Sequence, residues 1–178
     1  MTTIYSDRLQ FRILGKEDVT ERYVSWLNDP DVNQFLETRF ASQTLDSCRQ
    51  FVSDMERDPC SHLFGIFDNK TLEHLGNIKL GFINTNHLNG QLSLLIGEKS
   101  HWGKGYAAES ARSITKWGFE ELGLERISAG CYDTNTRSLR AFLKIGYSVE
   151  GFFRDSIVSN GRRIGSFSLG ILKNDRLS

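Results

Sequence analysis

Cysteine is scarce in this chain: three residues in 178, an odd number with no CxxC pair, so no disulfide framework holds the fold. Cys48 and Cys131 read as buried small hydrophobes in a reducing compartment, not as metal ligands or nucleophiles, and no metal site is expected. Long apolar runs are also missing. The first stretch, MTTIYSDRLQFRIL, carries Asp7 and Arg8, which excludes a signal peptide or a membrane span there and gives a cytoplasmic, soluble protein as the expectation. Nor is there an excess of either charge, because 22 basic and 22 acidic side chains cancel. That removes a bulk electrostatic pull toward nucleic acid or an acidic membrane, and neither is an expected partner; any polyanion must be met locally. With no linker, repeat or low-complexity tract, residues 1–178 are expected to form one domain, long enough to bury a core without staples.

Only two prolines occur, and each falls where a helix should stop. In the segment RLQFRIL, Leu9, Phe11 and Ile13 alternate as in a half-buried strand. Val19, Tyr23, Trp26 and Leu27 then recur at helical spacing up to Asn28-Asp29-Pro30, where the residue before proline resists the helix. Behind a Thr44 cap, Leu45, Cys48, Val52 and Met55 form a second helical stripe that ends near Pro59. Three strand-like runs follow, HLFGIF, HLGNIKLGFI and QLSLLIG, separated by the turn-rich DNKT and NTNHLNG. A helix from Ala107 to Leu122 closes at Gly123, and RISAGCY alternates as another strand. A short helix runs from an Asn135 cap to Gly146, and the Asn160-Gly161 pair turns a terminal hairpin. The β-α-β crossover between residues 91 and 132 demands one parallel pair in a mixed sheet.

The stretch SHWGKGYAAESA, residues 100 to 111, carries the chemistry. A Walker A loop needs Ser or Thr after its lysine, and Lys104 is followed by Gly105. Gly103-x-Gly105-x-x-Ala108 satisfies a dinucleotide fingerprint, with Asp133 at the end of the next strand. However, that fold starts at its glycine loop and continues through several βα units, whereas here one helix and a hairpin remain. The third reading is a pyrophosphate gripped by backbone amides from Trp102 to Ala107, with glycines admitting close approach and the helix dipole adding a favourable field.

The order of motifs decides among these. WGKGYA at 102–107, then Asn135, Ser138 and Gly146-Tyr147, then Glu150, Gly151 and Arg154 resemble the GNAT superfamily of N-acetyltransferases, specifically its RimJ/RimL-type branch. The resemblance extends to RLQFR and WLNDPDV near the N-terminus, and so covers essentially the whole chain. It implies an α/β (α+β) fold with a mixed, mainly antiparallel seven-stranded sheet, helices on both faces and splayed central strands. It also implies acetyl-CoA as co-substrate. The backbone of Leu94, Leu95, Ile96 and Gly97 would then hold the pantetheine arm, and Trp102, Gly103, Lys104, Gly105, Tyr106 and Ala107 the pyrophosphate. Asn135, Ser138 and Phe142 would complete the coenzyme site.

Acetyl transfer to an amine needs a neutral nucleophile, stabilisation of the oxyanion of a tetrahedral intermediate, and a proton for the leaving thiolate. Many superfamily members supply that proton from a tyrosine seven residues after the asparagine; here the position is Phe142. The resemblance passes the sulfur contact to Ser138 and the oxyanion contact to a backbone N–H near Ile96. Glu37, His101 and Asp133 are the candidate bases, Glu37 foremost because its segment lines the acceptor pocket in this superfamily, with a water relay that uses no dedicated side chain as the other route. The acceptor is expected to be a protein N-terminus or a small-molecule amine such as an amino sugar, with Trp26, Phe35 and Phe40 as candidate packing aromatics, and a homodimer is compatible with the sequence. Because Phe142 replaces the tyrosine, a non-catalytic acyl-CoA-binding or sensor module is the alternative.

Overall fold

The computed structural model describes residues 3–177. Its elements run β1 (Ile4–Tyr5), β2 (Leu9–Ile13), α1 (Glu21–Asn28), α2 (Pro30–Asn33), α3 (Leu45–Arg57), β3 (His62–Asp68), β4 (His74–Asn84), β5 (Asn89–Ile96), α4 (Tyr106–Glu120), β6 (Arg126–Tyr132), α5 (Thr136–Lys144), β7 (Ser148–Ser159) and β8 (Arg162–Leu172). One sheet holds all the strands, in the order β1-β2-β3-β4-β5-β6-β8-β7. Its described strands number eight rather than seven. The addition is Ile4–Tyr5, which pairs with Phe11 and Gln10 and is too short to show a period.

Local chemistry accounts for the element ends. The hydroxyl of Thr20 accepts from the Tyr23 amide, Thr44 forms a reciprocal cap with Ser47, and the Asn135 side chain accepts from the Ser138 amide. The terminal hairpin turns at Asn160 and Gly161, both with positive φ as a type I′ turn requires.

Alternation along the strands sends side chains to two separate cores. Phe64 and Ile66 of β3 join Ala111 and Ile114 of α4 and Phe142 of α5. Leu63 and Phe67 of the same strand join Tyr23 and Trp26 of α1 and Cys48 and Val52 of α3. Helices therefore cover both faces, with α4 and α5 on one and α1 and α3 on the other.

The feature that positions the site is a parallel pair that comes apart. Strands β5 and β6 pair from Asn89–Arg126 to Leu92–Ala129, yet β5 runs on to Ile96 and β6 to Tyr132. Over these last residues the strands splay, as the resemblance implied.

Candidate active site

Main-chain groups that a sheet would normally consume are left free at the splay. Gly97 donates to the Leu75 carbonyl at 2.9 Å, in phase with the Asn77–Leu95 and Lys79–Ser93 pairs. In an antiparallel ladder the alternate residues turn their N–H and C=O groups the other way, so Leu94 and Ile96 present theirs to the gap. The Ile96 carbonyl is taken by the Trp102 indole N–H at 2.7 Å. The Leu94 groups and the Ile96 N–H remain for another occupant.

The gap opens into a cleft of about 840 Å³. At one end lies the glycine loop. Gly103 and Gly105 have φ of +74° and +84°, the left-handed region open to glycine at little cost. Gly105 caps α4 without any side-chain hydrogen bond. The amides of Gly103, Lys104 and Gly105 donate to no described residue, and the first-turn amides of α4 have no helical partners. A string of free N–H groups at a helix N-terminus is suited to phosphate.

The loop is anchored from behind. Buried Glu109, in the first turn of α4, accepts from the Ser6 hydroxyl at 2.7 Å, the Arg8 amide at 2.8 Å and Arg8 Nε at 2.7 Å. The same guanidinium donates to the Lys104 carbonyl at 2.9 Å and lies over the Tyr106 ring at 4.2 Å. Burial works to raise the Glu109 carboxyl, but the bonds from Ser6 and Arg8 outweigh it and hold it below the ordinary carboxylate range.

Helix α5 supplies the opposite wall. Ser138, Phe142, Arg137, Arg140 and Lys144 line the cleft, with the Arg137 guanidinium 5.8 Å from the Trp102 ring. Its cations fall at i, i+3 and i+7, one helical face, so a neutral chain still has a local basic strip. Ser138 has its amide on Asn135 at 3.2 Å, while its hydroxyl is bonded to no described residue.

The far end of the cleft meets the segment after α1. Phe35 packs edge-on against Tyr132, ring centres 6.1 Å apart. The Tyr132 hydroxyl donates to Glu37 and accepts from Arg39 at 2.8 Å, and Arg39 also donates to the Val158 carbonyl at 3.2 Å. Burial, together with the bond to Glu37, pushes the Tyr132 phenol above its ordinary value.

Most of the residues expected from the sequence converge here: Leu94, Leu95, Ile96, Trp102, Gly103, Gly105, Tyr106, Ala107, Asn135, Ser138 and Phe142 all line the cleft. Three do not. Gly97 packs against Trp26, where a Cβ would collide with the ring, and its amide is spent on Leu75. Lys104 is exposed outside the cleft and contributes its carbonyl to Arg8. Glu37 stands behind Tyr132 rather than on the lining, bonded to it and to Arg39. Of the other candidate bases, Asp133 accepts from the Gly165 amide at 2.8 Å, a structural bond, and His101 lines the cleft beside the glycine loop. Among the aromatics, Trp26 is core, Phe40 is exposed under the Arg39 guanidinium at 4.1 Å, and Phe35 alone reaches the cleft.

The model of the GNAT acetyltransferase domain matches residues 8–148. The chain belongs to the GNAT acetyltransferase family. The match spans the anchoring Arg8, the glycine loop and α5 of this acetyltransferase. Over 178 residues it is 29% identical to the uncharacterized N-acetyltransferase p20 of Bacillus licheniformis, covering 98% of each chain. A GNAT-family acetyltransferase structure from Bacillus anthracis superposes with a TM-score of 0.82 at 26% identity, covering 96% of this chain and 98% of that one. The spermidine N-acetyltransferase of Vibrio cholerae, solved with CoA and spermine, shares the fold with a TM-score of 0.86 at 20% identity, over 97% of this chain and 100% of that one.

Arg8, Glu109, Tyr132, Arg137, Arg140 and Lys144 were not singled out from the sequence. Arg137, Arg140 and Lys144 carried a signal in their helical spacing. Glu109 and Tyr132 carried none, because their partners Arg8 and Glu37 lie about a hundred residues away.

Proposed function

We propose that the protein is an acetyl-CoA-dependent N-acetyltransferase of the RimJ/RimL type, moving an acetyl group directly to a primary amine. One observation carries this reading: the free edge of β5, the unoccupied amides of the glycine loop and the basic face of α5 all open into the same cleft. Bound acetyl-CoA supplies an activated acetyl group; a C–N bond forms, the C–S bond breaks, and the proton lost by the amine balances the departing thiolate, so that coenzyme A leaves as the free thiol. The amides of residues 103 to 107 hold the pyrophosphate and Arg137, Arg140 and Lys144 balance the phosphates. Leu94 pairs with the pantetheine arm in the manner of an added strand.

The Ile96 N–H is the donor for the thioester oxygen. Ser138, with its hydroxyl free and its amide fixed by Asn135, contacts the sulfur, since Phe142 has no proton to give. Glu37 acts on the acceptor side through Tyr132, whose hydroxyl it orients. Relatives agree with an amine acceptor: the Escherichia coli spermidine N(1)-acetyltransferase is 26% identical over 106 residues.

The test is titration calorimetry with CoA together with thiol release from acetyl-CoA in the presence of primary amines. Binding with amine-dependent thiol release supports the reading. Binding without transfer to any amine supports the sensor module that apolar, buried Phe142 favours.

A further inference from the structure

We infer that the acceptor is an amine carrying a single positive charge on an apolar or aromatic body, not a polycation. The inference rests on the acetyltransferase reading and narrows its substrate class.

The sheet separates the two halves of the cleft. Ala129 and Cys131 of β6 and Leu169 of β8 belong to the core under α4 and α5, so their neighbours Ser128, Gly130, Ser166 and Ser168 turn to the other face. The half of the cleft on that face has a floor of small uncharged side chains. Its walls are Phe35 and Leu36 from the segment after α1, and Phe153 from β7. Phe153 is 59% exposed; an aromatic left open at a cleft mouth favours a ligand with apolar surface to cover it.

Negative charge is the missing element. Among the described residues lining the cleft, the one carboxylate is Asp31; it is largely exposed and shares Lys99 Nζ with Asp29, at 3.1 and 2.8 Å. Glu37, off the lining and largely exposed, engages the Tyr132 hydroxyl and Arg39 through one carboxylate oxygen. The cations on the lining, Arg137, Arg140 and Lys144, face the coenzyme's phosphates and offer an acceptor no negative charge. A second or third ammonium on the acceptor therefore finds no carboxylate on the inner walls and must shed its water against phenyl rings. A lone amine loses its charge before attack and meets no such penalty.

Two sources share this chemistry, an arylalkylamine and a peptide N-terminus with an apolar first residue. The test follows thiol release at saturating acetyl-CoA with phenethylamine, with a leucine-initiated peptide, and with spermidine. The expected result is kcat/KM for phenethylamine or the peptide at least about tenfold above spermidine, the better of the two identifying the source. Phe153→Ala should raise KM for that substrate severalfold while leaving KM for acetyl-CoA unchanged, and Gln34→Glu, which adds an unpaired carboxylate to the wall, should narrow the gap to spermidine. Spermidine equal or preferred, or a Phe153→Ala variant with unchanged KM for the preferred amine, overturns the inference while leaving the acetyltransferase reading intact. Coenzyme binding without thiol release from any amine overturns both.

Discussion

Arg8 and Glu109 are joined by a two-point contact, Arg8 Nε to Oε2 at 2.7 Å and the Arg8 amide to Oε1 at 2.8 Å, and the same guanidinium reaches on to the Lys104 carbonyl. The pair connects the β1–β2 turn to the first turn of α4 and fixes the curvature of the glycine loop. Replacing Glu109 by Gln leaves Arg8 and the Ser6 hydroxyl without their charged acceptor. Breaking charge-assisted bonds to a buried carboxylate should cost about 2 kcal/mol of stability. Denaturant unfolding measures that cost, and calorimetry should show weaker CoA binding in the same variant.

The same carboxyl gives a pH dependence of known sign. Its folded pKa is lowered, with the bonds from Ser6 and Arg8 prevailing over burial, so the ionised form is favoured by folding. Its contribution is present above the unfolded value of about 4.3 and is lost as pH falls through the lower folded value. Melting temperature should therefore drop on acidification through that window, and the drop should be shallower in Glu109→Gln; parallel curves for the two proteins would refute this.

Gly105→Ala isolates the loop. At φ +84° an alanine is strained by about 1–2 kcal/mol, while its Cβ would meet only Arg8 at an ordinary 3.5 Å. Gly123, at φ +65° with nothing near its Cβ, is the control at the other end of α4. Both variants should lose similar stability, but only Gly105→Ala should lose CoA affinity.

Arg140→Ala should weaken CoA binding severalfold and flatten its salt dependence, since a screened cation near phosphate contributes less as ionic strength rises. Calorimetry at low and high salt reads both effects. An unchanged salt slope would remove Arg140 from the phosphate site.

Ser138→Ala keeps the Asn135 cap, which uses the Ser138 amide, and removes only the hydroxyl. Loss of about tenfold or more in kcat with acetyl-CoA saturating is expected of a group that assists the leaving sulfur. Wild-type kcat would return Ser138 to a purely local role at the start of α5.

Much of this architecture was legible because it is written in local patterns. The alternation of Leu9, Phe11 and Ile13, the caps at Thr44 and Asn135 and the Asn160-Gly161 turn each follow from a few neighbouring residues, and the structure has the corresponding elements. β1 escaped notice because two residues cannot display a period; it exists through its pairing with Gln10 and Phe11. The glycine loop was legible as a place where backbone amides are exposed. Gly97 lies off the cleft because the Trp26 ring packs against it, a neighbour that helix α1 brings from far along the chain.

The sequence by itself determined the longer elements, their order, the single parallel crossover and the family's motifs, since backbone sterics, caps and hydrophobic periodicity act over a few residues; the short β1 and α2 lay below that reach. Tertiary structure alone decided what the cleft contains. Which carboxylates are free and which are spent is a property of pairs such as Asp31 with Lys99 and Glu37 with Tyr132, joined across long separations. Charge in a composition cancels only on average; in a site it cancels group by group, at contact distances that folding sets.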